Sequence, residues 1–198
     1  NHSKIHKIAS DTDNYLYIFV KTLFPDMDSK FKIHIASPSE LQIIGEMAET
    51  VFRQTYRDIL SPQQMEYMMD WMYSLPNLVK QVESGHVFHI ISDGDTPCGY
   101  MSIGYDCIED GISVFHLHKL YVMPSYQGKG LGKALFDAAT GYAQSNRKTP
   151  YARMELNVNR DNPAVGFYRK AGMRILRQGD FHIGNGFYMN DYIMGLDL

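Results

Sequence analysis

The run His116-Leu117-His118-Lys119-Leu120-Tyr121-Val122 passes through Met123-Pro124-Ser125-Tyr126 into Gln127-Gly128-Lys129-Gly130-Leu131-Gly132-Lys133, and then into Ala134-Leu135-Phe136. A strand that feeds a glycine-rich turn and then a helix can hold an anion. Glycines let backbone N–H groups converge without side-chain obstruction, and the helix start adds unpaired N–H groups and the positive end of its dipole. A pyrophosphate fits such a junction. A nucleoside-triphosphate loop of the Gly-x4-Gly-Lys-Ser/Thr type is excluded, because three residues separate Gly128 from Gly132 and Ala134 follows Lys133. A dinucleotide fingerprint is excluded as well: the glycines space as GxGxG, and no acidic residue ends a following strand about twenty positions on. The pattern that remains is Gln/Arg-x-x-Gly-x-Gly/Ala after a strand, met by Gln127, Gly130 and Gly132.

The elements that must position this loop are legible on both sides of it. Phe31-Lys32-Ile33-His34-Ile35 alternates with the period of a half-buried strand, and Ser37-Pro38-Ser39-Glu40 carries a cap, an N1 proline and the glutamate of a capping box. The helix it opens is expected to run to about residue 54. Ser61-Pro62 opens a second helix through Tyr73, and a third piece is expected from Pro76 to Gly85. Residues 86–92, 99–107 and 113–122 read as three antiparallel strands, punctuated by Asp93-Gly94-Asp95 and Glu109-Asp110-Gly111. Ala134–Ala143 is helical, Arg153–Val158 is a strand, Asn162-Pro163 starts a helix, and two last strands flank Gly184-Asn185-Gly186. Residues 1–30, with the aromatic cluster Tyr15, Tyr17, Phe19 and Phe24, are set apart as an extension with no assigned chemistry. Residues 31–198 are expected to form one domain.

Composition narrows the function. With 44% hydrophobic and 21% charged residues the 198-residue chain is an ordinary globular sequence. Nineteen basic and twenty-two acidic residues give a net charge of −3, the wrong sign for a protein that binds nucleic-acid phosphates. Cys98 and Cys107 fall on one strand, with no CxxC or Cys/His spacing, so neither a disulfide framework, a metal site nor a cysteine nucleophile is expected. Apolar runs such as Tyr15–Val20 are far shorter than the roughly twenty residues of a membrane helix. A cytoplasmic location is expected, and no targeting is read into a chain that opens at Asn1.

A second constellation lies downstream. Leu156-Asn157-Val158-Asn159, then Asn162-Pro163-Ala164 and Gly166-Phe167-Tyr168-Arg169-Lys170-Ala171-Gly172-Met173, resembles the Asn-x-x-Ala-x-x-Phe-Tyr-x-x-x-Gly-Phe motif of the GCN5-related N-acetyltransferases (GNATs), and Gln127-x-x-Gly130-x-Gly132 resembles their acetyl-CoA loop. The departure is Met173 in place of phenylalanine. The resemblance covers 31–198. It implies an α/β GNAT fold: a mixed, mostly antiparallel central sheet of about seven strands, with about four to five helices and splayed motif strands that hold acyl-CoA.

The resemblance also implies roles. Backbone groups of Leu120, Tyr121 and Val122 hold the pantetheine arm, and the Val122 N–H polarises the thioester carbonyl. Gln127, Gly128, Lys129, Gly130, Leu131, Gly132 and Lys133 wrap the pyrophosphate. Asn162 either caps its helix or touches the pantetheine, and Tyr168 is the acid that protonates the CoA thiolate. Many relatives carry a base glutamate two or four residues before Leu-Tyr-Val; here His118 and His116 occupy those positions, on one face of the strand by alternation. A lone strand histidine is more often a packed residue with a satisfied ring, and Glu155 on the next strand is a further candidate base. No metal is needed. The implied reaction is direct acetyl transfer from acetyl-CoA to a small-molecule primary amine in a ternary complex.

For the acceptor, Glu46, Glu49, Asp58, Glu66 and Asp70 stand among Tyr56, Tyr67, Trp71 and Tyr73, a set that suits a cation or else a solvated helix face. The segments Glu49–Tyr56 and Phe187–Leu196 are similar to bacterial polyamine N-acetyltransferases, so a polyamine is the expected acceptor. A protein N-terminus, a lysine side chain or an aminoglycoside are alternatives, as is a non-catalytic acyl-CoA-binding module. Homodimers are common in this family.

Overall fold

A computed structural model of the chain describes residues 30–198, and the aromatic cluster at residues 15–24 lies outside them. The period-2 runs form β1 (Phe31–Ile35), β2 (Val87–Asp93), β3 (Thr96–Glu109), β4 (Ile112–Val122), β5 (Tyr151–Asn159), β6 (Arg174–Gly184) and β7 (Phe187–Asp197). The helices are α1 (Leu41–Tyr56), α2 (Pro62–Tyr73), α3 (Leu75–Glu83), α4 (Leu131–Asn146) and α5 (Ala164–Lys170). The strands make one seven-stranded sheet in the order β1-β2-β3-β4-β5-β7-β6. Every pairing is antiparallel except that of β4 with β5. A parallel pair needs a crossover, and α4 supplies it.

Helices cover both faces. On one, α4 and α5 bury Leu135, Phe136, Ala139 and Tyr168 against Met101, Phe115, Met154 and Leu156. On the other, α1, α2 and α3 bury Ile44, Phe52, Met69 and Leu78 against Phe88, Ile90 and Tyr100. Strands covered on both faces have little reason to alternate, hence the nearly continuous apolar content of β2 and β3.

Two starts differ from the sequence reading. The Ser37 N–H donates to Glu40 Oε2 at 2.8 Å, as the capping box requires, but Pro38–Glu40 forms a 3₁₀ turn before α1 begins at Leu41. Helix α4 begins at Leu131 rather than Ala134, because the left-handed Gly130 (φ 82°) swings the chain directly into helical geometry. The hairpin between β6 and β7 turns through Asn185 (φ 49°) and Gly186 (φ 74°), as a type I′ turn demands. The Tyr67 hydroxyl of α2 donates to the Ile183 carbonyl at 2.6 Å, and a Cβ on Gly184 would collide with that hydroxyl. The hairpin is thereby fastened to the α1–α3 face.

Candidate active site

Pairing between β4 and β5 runs from Ile112↔Tyr151 to His116↔Glu155 and stops. Beyond it, Leu117–Val122 pair with β3 alone and Leu156–Asn159 with β7 alone. A β-bulge marks the parting: Ile103 faces Leu117 and Ser102 faces Lys119, leaving His118 as the extra residue on β4. Bulges increase local twist, which turns the two strand ends apart and leaves backbone polar groups without a ladder partner in the gap. The Met123 N–H donates to the Cys98 carbonyl at 2.9 Å, so alternation turns the Val122 N–H and C=O away from β3, toward the gap. The Val122 carbonyl accepts from Gln127 Nε2 at 3.1 Å, which leaves its N–H to face a ligand.

The glycine-rich loop closes one end of this gap. Gly128 (φ 76°) and Gly130 (φ 82°) both lie in the left-handed region, where a side chain would be strained. Gly130 caps α4, so the first-turn N–H groups of that helix open beside the loop. Lys129 Nζ sits 4.7 Å above the Tyr126 ring, and Lys133 Nζ pairs with Asp137 at 2.5 Å. Leu131 is buried in the core, so only its backbone is available to a ligand.

A cavity of about 680 Å³ occupies the gap, lined by Leu120, Tyr121, Val122, Gln127 and Gly132 on one side and by Asn157, Asn162 and Tyr168 on the other. Tyr56, the last residue of α1, and Asp58, just beyond it, close it from that side. The Asn162 Oδ1 accepts from the Ala164 N–H at 2.9 Å at the start of α5, and the residue also lines the cavity, as does Tyr56. Tyr168 is buried, and that burial, with Tyr56 nearby, pushes its hydroxyl well above the ordinary tyrosine range. It therefore stays protonated and able to donate.

The structure separates the two histidines. His118 lines the cavity and His116 does not, although their ring centroids are 4.7 Å apart. The bulge swings His118 forward, where it stacks on His86 at 3.8 Å. Burial holds His118 well below 6.5, reinforced by His116, His86 and Lys119, so the ring is neutral. Glu155 stays outside the cavity, buried and held by Arg177 at 3.2 Å and Arg153 at 3.6 Å, which makes it a structural ion-pair residue.

Most of the acidic residues fall to the second alternative, a solvated helix face. Of the five acids only Asp58 lines the cavity; Glu46, Glu49, Glu66 and Asp70 border a separate groove of about 410 Å³. There Arg53 neutralises Glu66 at 2.5 Å and Glu49 at 2.6 Å. Tyr67 and the half-exposed Trp71 stack on each other on α2, and Tyr73 is buried in the core.

Sequence reasoning passed over Lys119 as a site residue and read Asp191 only as part of a tail. Lys119 is buried on β4, with Nζ donating to Gln81 Oε1 at 2.6 Å and lying over the rings of Tyr73 and Phe88, and burial lowers it to about 7. A lysine inside a strand covered on both faces was the signal. Asp191, on β7, is buried opposite Asn159.

A family model described as an acetyltransferase (GNAT) domain matches residues 47–193. The chain belongs to the GNAT family. Among curated relatives, the peptidyl-lysine N-acetyltransferase YjaB of Salmonella typhimurium is 30% identical over 86 residues, 43% of this chain and 48% of that protein. The chain thus spans about half the length of this relative. Among solved structures, the PaiA N-acetyltransferase of Thermoplasma acidophilum, in complex with coenzyme A, is 23% identical, with a TM-score of 0.66, over 85% of this chain and 99% of that one. A GCN5-related N-acetyltransferase of Rhodopseudomonas palustris is 20% identical, with a TM-score of 0.68, over 86% and 97%. At these identities the likeness is one of fold, and the seven strands and five helices described above are the GNAT fold.

Proposed function

We propose that residues 31–198 act as one catalytic domain that transfers the acetyl group of acetyl-CoA to a primary amine of an aliphatic polyamine, by direct attack in a ternary complex. The observation that carries this reading is the gap between β4 and β5, which presents the Val122 N–H between the left-handed glycine loop and the buried Tyr168. The pantetheine arm would run along Leu120–Val122, with the pyrophosphate against residues 127–133. The neutral amine nitrogen attacks the thioester carbon, and the Val122 N–H stabilises the oxyanion that forms. Collapse breaks the carbon–sulfur bond, and Tyr168 gives its proton to the departing thiolate. The amine proton leaves to water in the cavity; His118 lines the wall there, but burial beside His116, His86 and Lys119 opposes its protonation, so water rather than the ring carries the proton away.

The acceptor class rests on the similarity of Glu49–Tyr56 and Phe187–Leu196 to polyamine acetyltransferases, and on Asp58 at the cavity wall. A protein lysine side chain is the second reading, favoured by the name of the curated relative. The test is release of CoA thiol from acetyl-CoA with spermidine, spermine, putrescine, a lysine peptide and an aminoglycoside. Turnover on the polyamines supports the first reading, and turnover confined to the peptide supports the second. Acetyl-CoA binding with no thiol release from any amine would overturn both and leave an acyl-CoA-binding module. A cytoplasmic, homodimeric enzyme is the assembly and location this reading carries.

A further inference from the structure

Asn157 carries an amide that the fold turns one way. By alternation its side chain shares a face of β5 with Glu155 and Asn159, opposite Leu156 and Val158, which belong to the core under α4 and α5. Asn157 is exposed and lines the cavity, as do Val122 and Tyr168. Its Nδ2 donates to Asp191 Oδ2 at 3.3 Å, and Asp191 belongs to β7, the strand on the far side of β5 from the gap. Asp191 is 6% exposed, and its other oxygen has no partner. A carboxylate offers only acceptors, so the NH2 end of the Asn157 amide must face it. The two ends of a planar amide point apart: with Nδ2 on the β7 side, Oδ1 faces the β4 side, which beyond His116 and Glu155 is the gap. Among the described residues that Oδ1 has no partner.

We infer that Asn157 Oδ1 accepts a hydrogen bond from the attacking nitrogen of the acceptor, and that Asp191 is a positioning residue that holds the amide in that orientation. The inference rests on the acetyl-transfer reading above and names the group that orients its nucleophile. A neutral primary amine has two N–H bonds and one lone pair. Anchoring one N–H on the β5 wall leaves the lone pair free to point across the gap at the thioester carbon beside the Val122 N–H. As the carbon–nitrogen bond forms, the nitrogen gains positive charge and its N–H becomes a stronger donor, so the contact tightens in the transition state before the proton passes to water. An amide suits this place better than a carboxylate, which would favour the protonated, unreactive amine. Asp191 does not line the cavity, so it acts on the acceptor through that amide.

The test is a double-mutant cycle on turnover of spermidine and butylamine. Asn157→Ala removes the accepting oxygen and is expected to lower kcat/KM for both amines at least about 10-fold, most of it in kcat, with the dissociation constant of acetyl-CoA unchanged by calorimetry. Asp191→Asn keeps the shape but can present either end of an amide to Asn157, and is expected to cost about 3- to 10-fold. In the Asn157→Ala background Asp191→Asn should change the rate less than about twofold, since the group it orients is gone. A smaller loss in Asn157→Ala, or losses that multiply in the double variant, would overturn the assignment. So would recovery of rate in the double variant, which would trace the Asn157→Ala defect to the unpaired Asp191 charge it leaves behind. Should the wild type acetylate no amine, the acetyl-transfer reading fails, and the contact is read by calorimetric titration of spermidine into the CoA complex. It stands if spermidine binds the wild type at least about threefold tighter than Asn157→Ala, and falls if it binds both alike or neither.

Discussion

Tyr168 and Lys119 show opposite uses of burial. Tyr168 lines the cavity with its hydroxyl held protonated, so removing that hydroxyl should leave cofactor binding intact and slow thiolate departure. Tyr168→Phe is expected to lower kcat by at least about 100-fold, the lower end of general-acid contributions, with the dissociation constant of acetyl-CoA unchanged by titration calorimetry. Lys119 has one strong partner, Gln81, and two aromatic faces for a buried cation. Its pKa falls from 10.5 to about 7, so between those values the unfolded chain binds the extra proton and stability rises with pH. Lys119→Met should therefore stabilise the protein at pH 7 or leave it unchanged, within a gain of about 1–4 kcal/mol by urea denaturation, and should flatten the rise in stability from pH 7 to 10. The lysine was visible in the sequence, but its partners come from α3 and β2, which only the packed structure places beside it.

At the scale of elements, the loop between β4 and α4 holds its shape through Gly128 and Gly130. A side chain at a left-handed position costs roughly 1–2 kcal/mol, which corresponds to a 5- to 30-fold change in an equilibrium. Gly130→Ala is expected to raise the KM for acetyl-CoA by about that factor, with little change in kcat at saturation. A change in kcat with KM constant would place the loop's role outside cofactor binding. These glycines were legible because their spacing and the elements on either side are local. The parting of β4 from β5 was not, since it depends on a bulge at His118 and on which strand each segment chooses as its neighbour. The same bulge explains why alternation alone put His116 and His118 on equal terms.

Across the whole molecule the sheet buries histidines that would charge if unfolded. His89 is 1% exposed and burial lowers it to about 4, and His86 is lowered to about 4 as well. A group with a lowered pKa contributes stability that is present above 6.5 and lost as the pH falls toward 4, because the unfolded chain takes up the proton first. For His89 the loss is on the order of 3 kcal/mol. Urea midpoints should drop between pH 7 and 4.5, and His89→Gln should flatten that drop. An unchanged slope in the variant would show that other groups dominate acid unfolding.

The sequence by itself determined the elements, the glycine loop, the second motif at residues 157–173, and hence the family, because each is written in residues close together along the chain. Capping residues, turn glycines and strand periodicity act over a few positions, and their physics is local. Tertiary structure alone decided that His118 rather than His116 meets the cavity, that Arg53 neutralises Glu49 and Glu66 in a separate groove, and that Asp191 is buried with an unpaired oxygen. Each depends on charge, burial and pairing among residues far apart in sequence, and those are set only when the sheet closes between its two layers of helices.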